Sequence, residues 1–141
     1  MTITRLPDEI RPVLENGIPS VMVTCSADGI PNVTVISQVY YVDETHVALS
    51  FQFFNKTIRN VRENPRAYVC LSDLTGLANW ILQLEFQRSA TEGPIFEAMD
   101  MQIEAIASAT GMSGIFKLRA ADIYRVLSVE QLSHPESAVS T

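Results

Sequence analysis

The segment from Trp80 to Gln87 alternates between apolar and polar side chains, and this constrains the fold more than any other feature of the chain. Successive residues of a β-strand point to opposite faces, so strict alternation predicts a strand with one buried and one polar face. This pattern is typical of antiparallel sheets. The apolar set is Trp80, Leu82, Leu84 and Phe86, and the polar set is Gln83, Glu85 and Gln87.

Five further strands and three helices are predicted from the remaining apolar periods and turn residues. Asp28-Gly29 supplies a hairpin turn, Asn64-Pro65 ends the second helix, and Gly111 ends the third. The other predicted strands are 20–27, 32–41, 46–52, 66–72, and Ile115 to Val129 with a break near Ala120-Ala121-Asp122; the helices are Asp8 to Asn16, 56–63, and Pro94 to Gly111.

This order of elements predicts a mainly β fold with α additions, an antiparallel barrel with helices inserted after the third and fifth strands. At 141 residues the chain fits one domain, 1–141, with its core at about residues 8–130. Residues 133–141 are polar and are predicted to form a mobile tail.

Charge and composition exclude several classes of function. The net charge is -6 and the pI is near 4.8, which argues against binding nucleic acid or anionic membranes. No apolar run approaches the length needed to span a bilayer, and the N-terminus lacks a signal-peptide core, so a cytoplasmic protein is expected. His46 and His134 are isolated, and Cys25 and Cys70 lie in apolar strand patterns, so no metal site is predicted.

Basic residues are concentrated in one segment of this acidic chain. Four of the ten basic residues lie between Lys56 and Arg66. Asn55 can cap the helix that follows the third strand, which puts Lys56 and Thr57 beside its free N–H groups. A helix N-terminus with an ammonium and a hydroxyl suits a phosphate group, whereas the alternative is an ordinary solvated helix start. Arg59 could share the face of Lys56.

The run from Ser50 to Arg66 resembles the flavin phosphate segment of the pyridoxamine 5′-phosphate oxidase-like split β-barrel family. Residues 28–37, Asp-Gly-Ile-Pro-Asn-Val-Thr-Val-Ile-Ser, are similar to the first hairpin of that family, and residues 64–71 resemble the strand after its phosphate-side helix. The similarity covers roughly residues 8–130. It implies a split β-barrel that binds FMN in a cleft between the subunits of a homodimer.

Two strand faces and the basic helix supply the candidate ligand-binding residues. On the second strand Asn32, Thr34, Ile36 and Gln38 share a face, and the third strand presents Ser50 and Gln52 together. The resemblance implies that backbone groups of Val33 to Ile36 bond the flavin pyrimidine edge. Trp80 either covers the flavin across the dimer or belongs to the core. The candidate cofactor-binding residues are Asn32, Val33, Thr34, Val35, Ile36, Ser37, Gln38, Ser50, Phe51, Gln52, Asn55, Lys56, Thr57, Arg59 and Trp80.

The chain departs from the true oxidases of the family at two places. They carry Arg-x-Val-Leu-Leu-Lys on the second strand and a C-terminal Arg-x-His segment, where this chain has residues 32–37, Asn-Val-Thr-Val-Ile-Ser, and residues 133–137, Ser-His-Pro-Glu-Ser. Pyridoxamine phosphate is therefore not the expected substrate. No acid–base constellation is evident, which fits a cofactor that carries its own redox chemistry.

Three functional hypotheses follow. The first is an FMN-dependent oxidoreductase with a small-molecule electron donor and acceptor. The second is a flavin-binding redox or ligand sensor without turnover, and the third is a flavin-free structural dimer. The deazaflavin F420 is an alternative cofactor, because some relatives in this superfamily use it.

Overall fold

The computed structural model describes residues 3–15, 20–36, 38–50, 55–73, 78–109, 111 and 118–132, without the side chains of Asn55, Lys56, Ala78 and Ile106. These residues form seven strands, three α-helices and a short 3₁₀ turn at Asp8–Ile10. The strands are β1 (Ser20–Cys25), β2 (Pro31–Ile36), β3 (Val39–Asp43), β4 (His46–Ser50), β5 (Arg66–Asp73), β6 (Ala78–Ala90) and β7 (Ala121–Leu132), and the helices are α1 (Arg11–Glu15), α2 (Asn55–Glu63) and α3 (Pro94–Ala109).

All seven strands belong to one antiparallel sheet in the order β2-β1-β5-β6-β7-β4-β3. The prediction of a single strand over 32–41 was wrong, because β2 pairs with β1 whereas β3 pairs with β4 at the other edge of the sheet. Apolar residues occur in both strands, from Val33 to Val42, and this local pattern cannot reveal that the pairing partner changes. Ser37, at this change of partner, lies outside the described residues.

The sheet curls around a hydrophobic core to which every strand contributes. Met22 of β1, Leu82 of β6 and Tyr124 of β7 belong to this cluster, together with Leu14 of α1 and Val61 of α2. In β6 the predicted alternation is confirmed, since Trp80, Leu82 and Leu84 are buried. Burial of these apolar side chains is the main stabilising term for the fold.

A second cluster lies between α3 and the other face of the sheet. Met99 and Ile103 of α3 pack with Ala48 of β4 and Ile123 of β7. This arrangement confirms the predicted amphipathic helix. Gly111, with φ +74°, follows the helix end, where a left-handed residue favours glycine.

The start of β7 differs from the predicted break. The strand runs without interruption from Ala121 to Leu132, and the irregular residues 118–120 precede it. Two features let Ala121 and Asp122 lie within a strand: Ala121 packs in the second cluster, and Ser89 donates a hydrogen bond to the Asp122 carboxylate. Residues 115–117 of the predicted strand lie outside the described residues.

Candidate functional site

The basic helix predicted from the sequence is α2, and it packs against the β1–β2 hairpin. It runs from Asn55 to Glu63, and Val61 inserts into the core. The backbone N–H groups of its first turn have no partner within the helix, so they are available to an anion. The side chains of Asn55 and Lys56, and residues 51–54 with Phe51 and Gln52, lie outside the described part of the structure.

Two side-chain hydrogen bonds attach α2 to the hairpin. Asn32 Nδ2 donates to Thr57 Oγ1 over 3.1 Å, and Asn60 Nδ2 donates to Thr24 Oγ1 over 3.2 Å. Thr24, Thr57 and Asn60 are all buried. Asn32 and Thr57, which the sequence predicted separately as ligand-binding residues, are therefore in direct contact.

Thr57 lies in the first turn of α2 and is 8 % exposed. Its hydroxyl accepts the hydrogen bond from Asn32. A hydroxyl has one hydrogen to donate and two lone pairs, so the hydrogen of Thr57 remains for a second partner. None of the described residues accepts it. The site therefore contains an almost buried donor next to the free N–H groups of a helix.

A cavity of about 260 Å³ lies between α2 and the β1–β2 turn. Its walls carry the positive charge of Arg59 and the negative charges of Asp28 and Glu63. Within the described residues, none of these three groups takes part in a salt bridge. The lining residues are Ser26, Asp28, Ile30, Pro31, Asn32, Arg59, Asn60 and Glu63. Of the predicted ligand-binding residues, the cavity brings together Asn32 and Arg59.

Thr24 and Asn60 were not predicted from the sequence, and their hydrogen bond attaches α2 to the hairpin next to this site. Asn60 follows Thr57 by three positions, a spacing that puts two polar side chains on the same helix face. That spacing was a usable signal. The partner Thr24 lies on a different element, and only the fold shows that it faces Asn60.

Other predicted residues of β2 divide between the two faces of the sheet. Asn32 and Thr34 are half-buried and Ile36 is in the core, whereas Val33 and Val35 are exposed. Since β2 is an edge strand of the described sheet, one side of its backbone is available for hydrogen bonds, as the sequence analysis required.

Ser50, Gln38 and Trp80 are buried. Ser50 shares its strand face with Ala48, which packs under α3. Gln38 is 2 % exposed, and neither polar atom of its amide has a hydrogen-bond partner among the residues that the structure describes; the same is true of Trp80 Nε1. Trp80 is a member of the barrel core, which favours the core alternative given for it above.

The outer face of β1, β2 and β5 carries exposed apolar side chains. Val33 and Val35 are 66 % and 58 % exposed, and Val21 and Tyr68 are 37 % and 43 % exposed. Register places Val21 opposite Val35, and Val23 opposite both Val33 and Tyr68. These side chains form one surface, here called the outer apolar face. Contiguous surfaces of this kind are typical of protein interfaces.

Asp122 is an unexpected buried carboxyl near α2. Burial raises its pKa, while the hydrogen bond from Ser89 Oγ, at 2.5 Å, and the charge of Arg62 on α2 act in the opposite direction. The net pKa lies above the ordinary value. The neighbouring Tyr124 has a raised pKa, chiefly through burial and also through the charge of Asp122.

Replacing Asp122 with asparagine is expected to change how stability depends on pH. The folded-state pKa lies above the ordinary 3.8, so the folded wild type retains this proton at a pH where the unfolded chain has lost it. The contribution of Asp122 to wild-type stability should therefore fall as the pH rises from 3.8 through the folded-state pKa. The free-energy difference between variant and wild type should grow in favour of the variant over that window and then level off. Urea unfolding at a series of pH values measures it, and parallel curves would contradict the assignment.

Two classes of site are absent from the described residues. No group of three histidine, cysteine or acidic side chains there is close enough to bind a metal ion. No helix in this part of the chain is both long and apolar enough to cross a membrane.

Comparison with known proteins identifies similar sequences and folds. A family model described as pyridoxamine 5′-phosphate oxidase matches residues 6–127. An uncharacterized protein of Methanocaldococcus jannaschii, MJ0282, is 34% identical over 67 residues, which cover 46% of this chain and 44% of that protein. The match thus spans less than half the length of this relative.

Two solved structures have a similar fold at low sequence identity. An FMN-binding protein from Syntrophomonas wolfei gives a TM-score of 0.76 at 13% identity, covering 89% of this chain and 85% of that one. An F420 reductase gives a TM-score of 0.66 at 12% identity, covering 89% of this chain and 98% of that one.

Proposed function

Because the chain belongs to the pyridoxamine 5′-phosphate oxidase family and has an antiparallel split β-barrel fold, we propose that it is a flavoprotein that binds FMN at the N-terminus of α2. The observation that carries this proposal is the almost buried hydroxyl of Thr57, which lies in the first turn of that helix and whose hydrogen none of the described residues accepts. A phosphate oxygen is the acceptor that such a position favours.

The charge distribution supports an anionic ligand at this end of the molecule. The protein as a whole is acidic, with a net charge of -6, yet Lys56 and Arg59 lie in the first two turns of α2. Arg59 is exposed beside the cavity, whose wall also holds Asp28 and Glu63, so the proposed phosphate site is the N-terminus of α2 and not this cavity. The negative charge on the rest of the surface repels anions, so the affinity for an anionic ligand should depend on the first two turns of α2.

We propose that the protein is an oxidoreductase with a small-molecule electron donor and acceptor. When bound, the flavin supplies the redox chemistry, and the protein residues bind and orient it. Asn32 Nδ2 and Thr57 Oγ1 are 3.1 Å apart and would lie at the phosphate. The free edge of β2 would meet the ring. Pyridoxamine phosphate is not the proposed substrate, because residues 32–37 and 133–137 lack the cations of the true oxidases.

The outer apolar face supports a homodimer. Val33 and Val35 expose more than half of their surface, and a second copy of the chain is the partner that would cover them. In the family, the flavin lies between subunits, so dimerisation would also complete the cofactor site. The proposal therefore couples cofactor affinity to oligomeric state.

The first test is a visible absorption spectrum of the purified protein with and without added FMN, followed by denaturation and identification of any released chromophore. Stoichiometric FMN is expected. Release of F420 instead would replace the cofactor assignment but retain the anion site. A colourless protein that binds neither would leave the flavin-free dimer.

The second test separates an enzyme from a sensor. Anaerobic mixing of the FMN-loaded protein with NADH or NADPH should bleach the flavin absorption, and a small oxidant should restore it over repeated cycles. Binding without reduction by any of these donors would favour the redox or ligand sensor.

A further inference from the structure

We propose that Asn32 is a positioning residue, whose side-chain amide makes Thr57 a hydrogen-bond donor toward the phosphate. This inference rests on the proposed phosphate site at α2 and deepens it. Asn32 stands where the true oxidases have the arginine of their strand motif. Asn32 is uncharged, so in this chain the position acts through a neighbouring hydroxyl and not through a positive charge.

The direction of one hydrogen bond carries the argument. Asn32 Nδ2 donates to Thr57 Oγ1 at 3.1 Å, so a lone pair of the hydroxyl is already engaged. The hydrogen of Thr57 must then point to another acceptor. No described residue provides one, and at 8 % exposure the side chain has little access to water. A buried donor without an acceptor is costly, and an oxygen of a bound anion removes that cost.

The opposite orientation of the amide would have the opposite effect. If Asn32 Oδ1 accepted a hydrogen bond from Thr57, the hydroxyl would present only lone pairs to the ligand, and these would repel an anion. An aspartate at position 32 imposes that arrangement, because a carboxylate can only accept. Asn32 therefore contributes to the preference of the site for an anion over a cation or a neutral acceptor.

A double-mutant cycle tests this role. Kd values for FMN and for riboflavin, which lacks the phosphate, are measured by fluorescence quenching for wild type, Asn32→Ala, Thr57→Val and the double variant. We expect Thr57→Val to weaken FMN binding about 10- to 100-fold. Asn32→Ala should weaken it about three- to tenfold, and the double variant should match Thr57→Val alone. Riboflavin affinity should be unchanged throughout.

Two more variants sharpen the result. Asn32→Asp should weaken FMN binding more than Asn32→Ala does, because the carboxylate takes the Thr57 hydrogen and adds a negative charge. Thr57→Ser keeps the hydroxyl and should restore affinity to within about threefold of wild type, as expected for a nearly neutral change.

Thr24→Val is the matched structural control. It removes the other hydrogen bond between α2 and the hairpin, the one from Asn60 to Thr24. It should lower the thermal midpoint without changing the ratio of FMN to riboflavin affinity. Circular dichroism and thermal unfolding of every variant show whether the chain has folded.

The outcomes separate this role from the proposed function. If wild type binds FMN but the affinity losses of Asn32→Ala and Thr57→Val add up in the double variant, only the role of Asn32 is overturned. The same holds if the variants lose affinity for FMN and riboflavin equally. Wild type that binds no FMN would overturn the proposed function and this role with it.

Discussion

Replacing Lys56 with alanine is expected to weaken FMN binding by about 1–3 kcal/mol, or roughly 5- to 150-fold in Kd. Lys56 is the second residue of α2, and its ammonium group would donate a charge-assisted hydrogen bond to the phosphate in addition to those from the N–H groups of the first turn. Isothermal titration of the purified variant with FMN measures the change. The effect should shrink as salt concentration rises, since added ions screen the interaction.

Arg5→Ala is the matched control for the loss of one positive charge. Arg5 forms an exposed ion pair with Glu44 at 3.2 Å, next to the β3–β4 turn, and such pairs contribute little. FMN affinity should therefore be unchanged in this variant. Equal losses for the Lys56 and Arg5 variants would mean that only net charge matters, and an unchanged Kd for the Lys56 variant would remove it from the site.

Replacing Val33 with lysine is expected to convert a dimer into monomers. Val33 is 66 % exposed on the outer apolar face, and a symmetric interface would bury one new unpaired ammonium from each copy. An uncompensated buried charge costs about 3–5 kcal/mol, which is enough to dissociate a dimer of micromolar affinity at working concentrations. Sedimentation velocity measures the change in mass, and FMN affinity should fall in parallel.

Met101→Lys provides the comparison surface. Met101 is 74 % exposed on α3, so it introduces the same charge at an equally exposed apolar residue away from the outer apolar face. Its mass and FMN affinity should match those of wild type. If the Val33 variant keeps the mass of the wild-type dimer, the interface lies elsewhere on the molecule.

The strands with one buried face were predictable from the sequence, because alternation reports burial directly. The segment from Trp80 onward became β6 with the expected face inward, and α2 begins within one residue of the predicted start. The division of 32–41 into β2 and β3 was not predictable. Both halves are rich in strand-forming apolar residues, and the pairing partner of a strand is a long-range property that the local sequence does not encode.

The candidate site shows the same limit. Thr57 was identified from its place at a helix start, a local signal that needs no knowledge of the fold. Its contact with Asn32 joins residues 25 positions apart, and the buried carboxylate of Asp122 accepts a hydrogen bond from Ser89, 33 positions away. Such pairs can be recognised only once the strand order is known. The sequence therefore predicted individual residues of the site but not the contacts between them.

The place of β7 in the sheet has a consequence for how the chain folds. β7 is last in sequence among the described strands, yet it lies between β6 and β4, and its register joins His46 to Arg125. The β3–β4 hairpin therefore has no route into the sheet until β7 has emerged from the ribosome, and until then both the hairpin and β6 expose unpaired backbone. Pairing of β4 with β7 closes the long intervening segment and should limit the folding rate. The incomplete chain should be most vulnerable to aggregation and proteolysis until β7 has emerged.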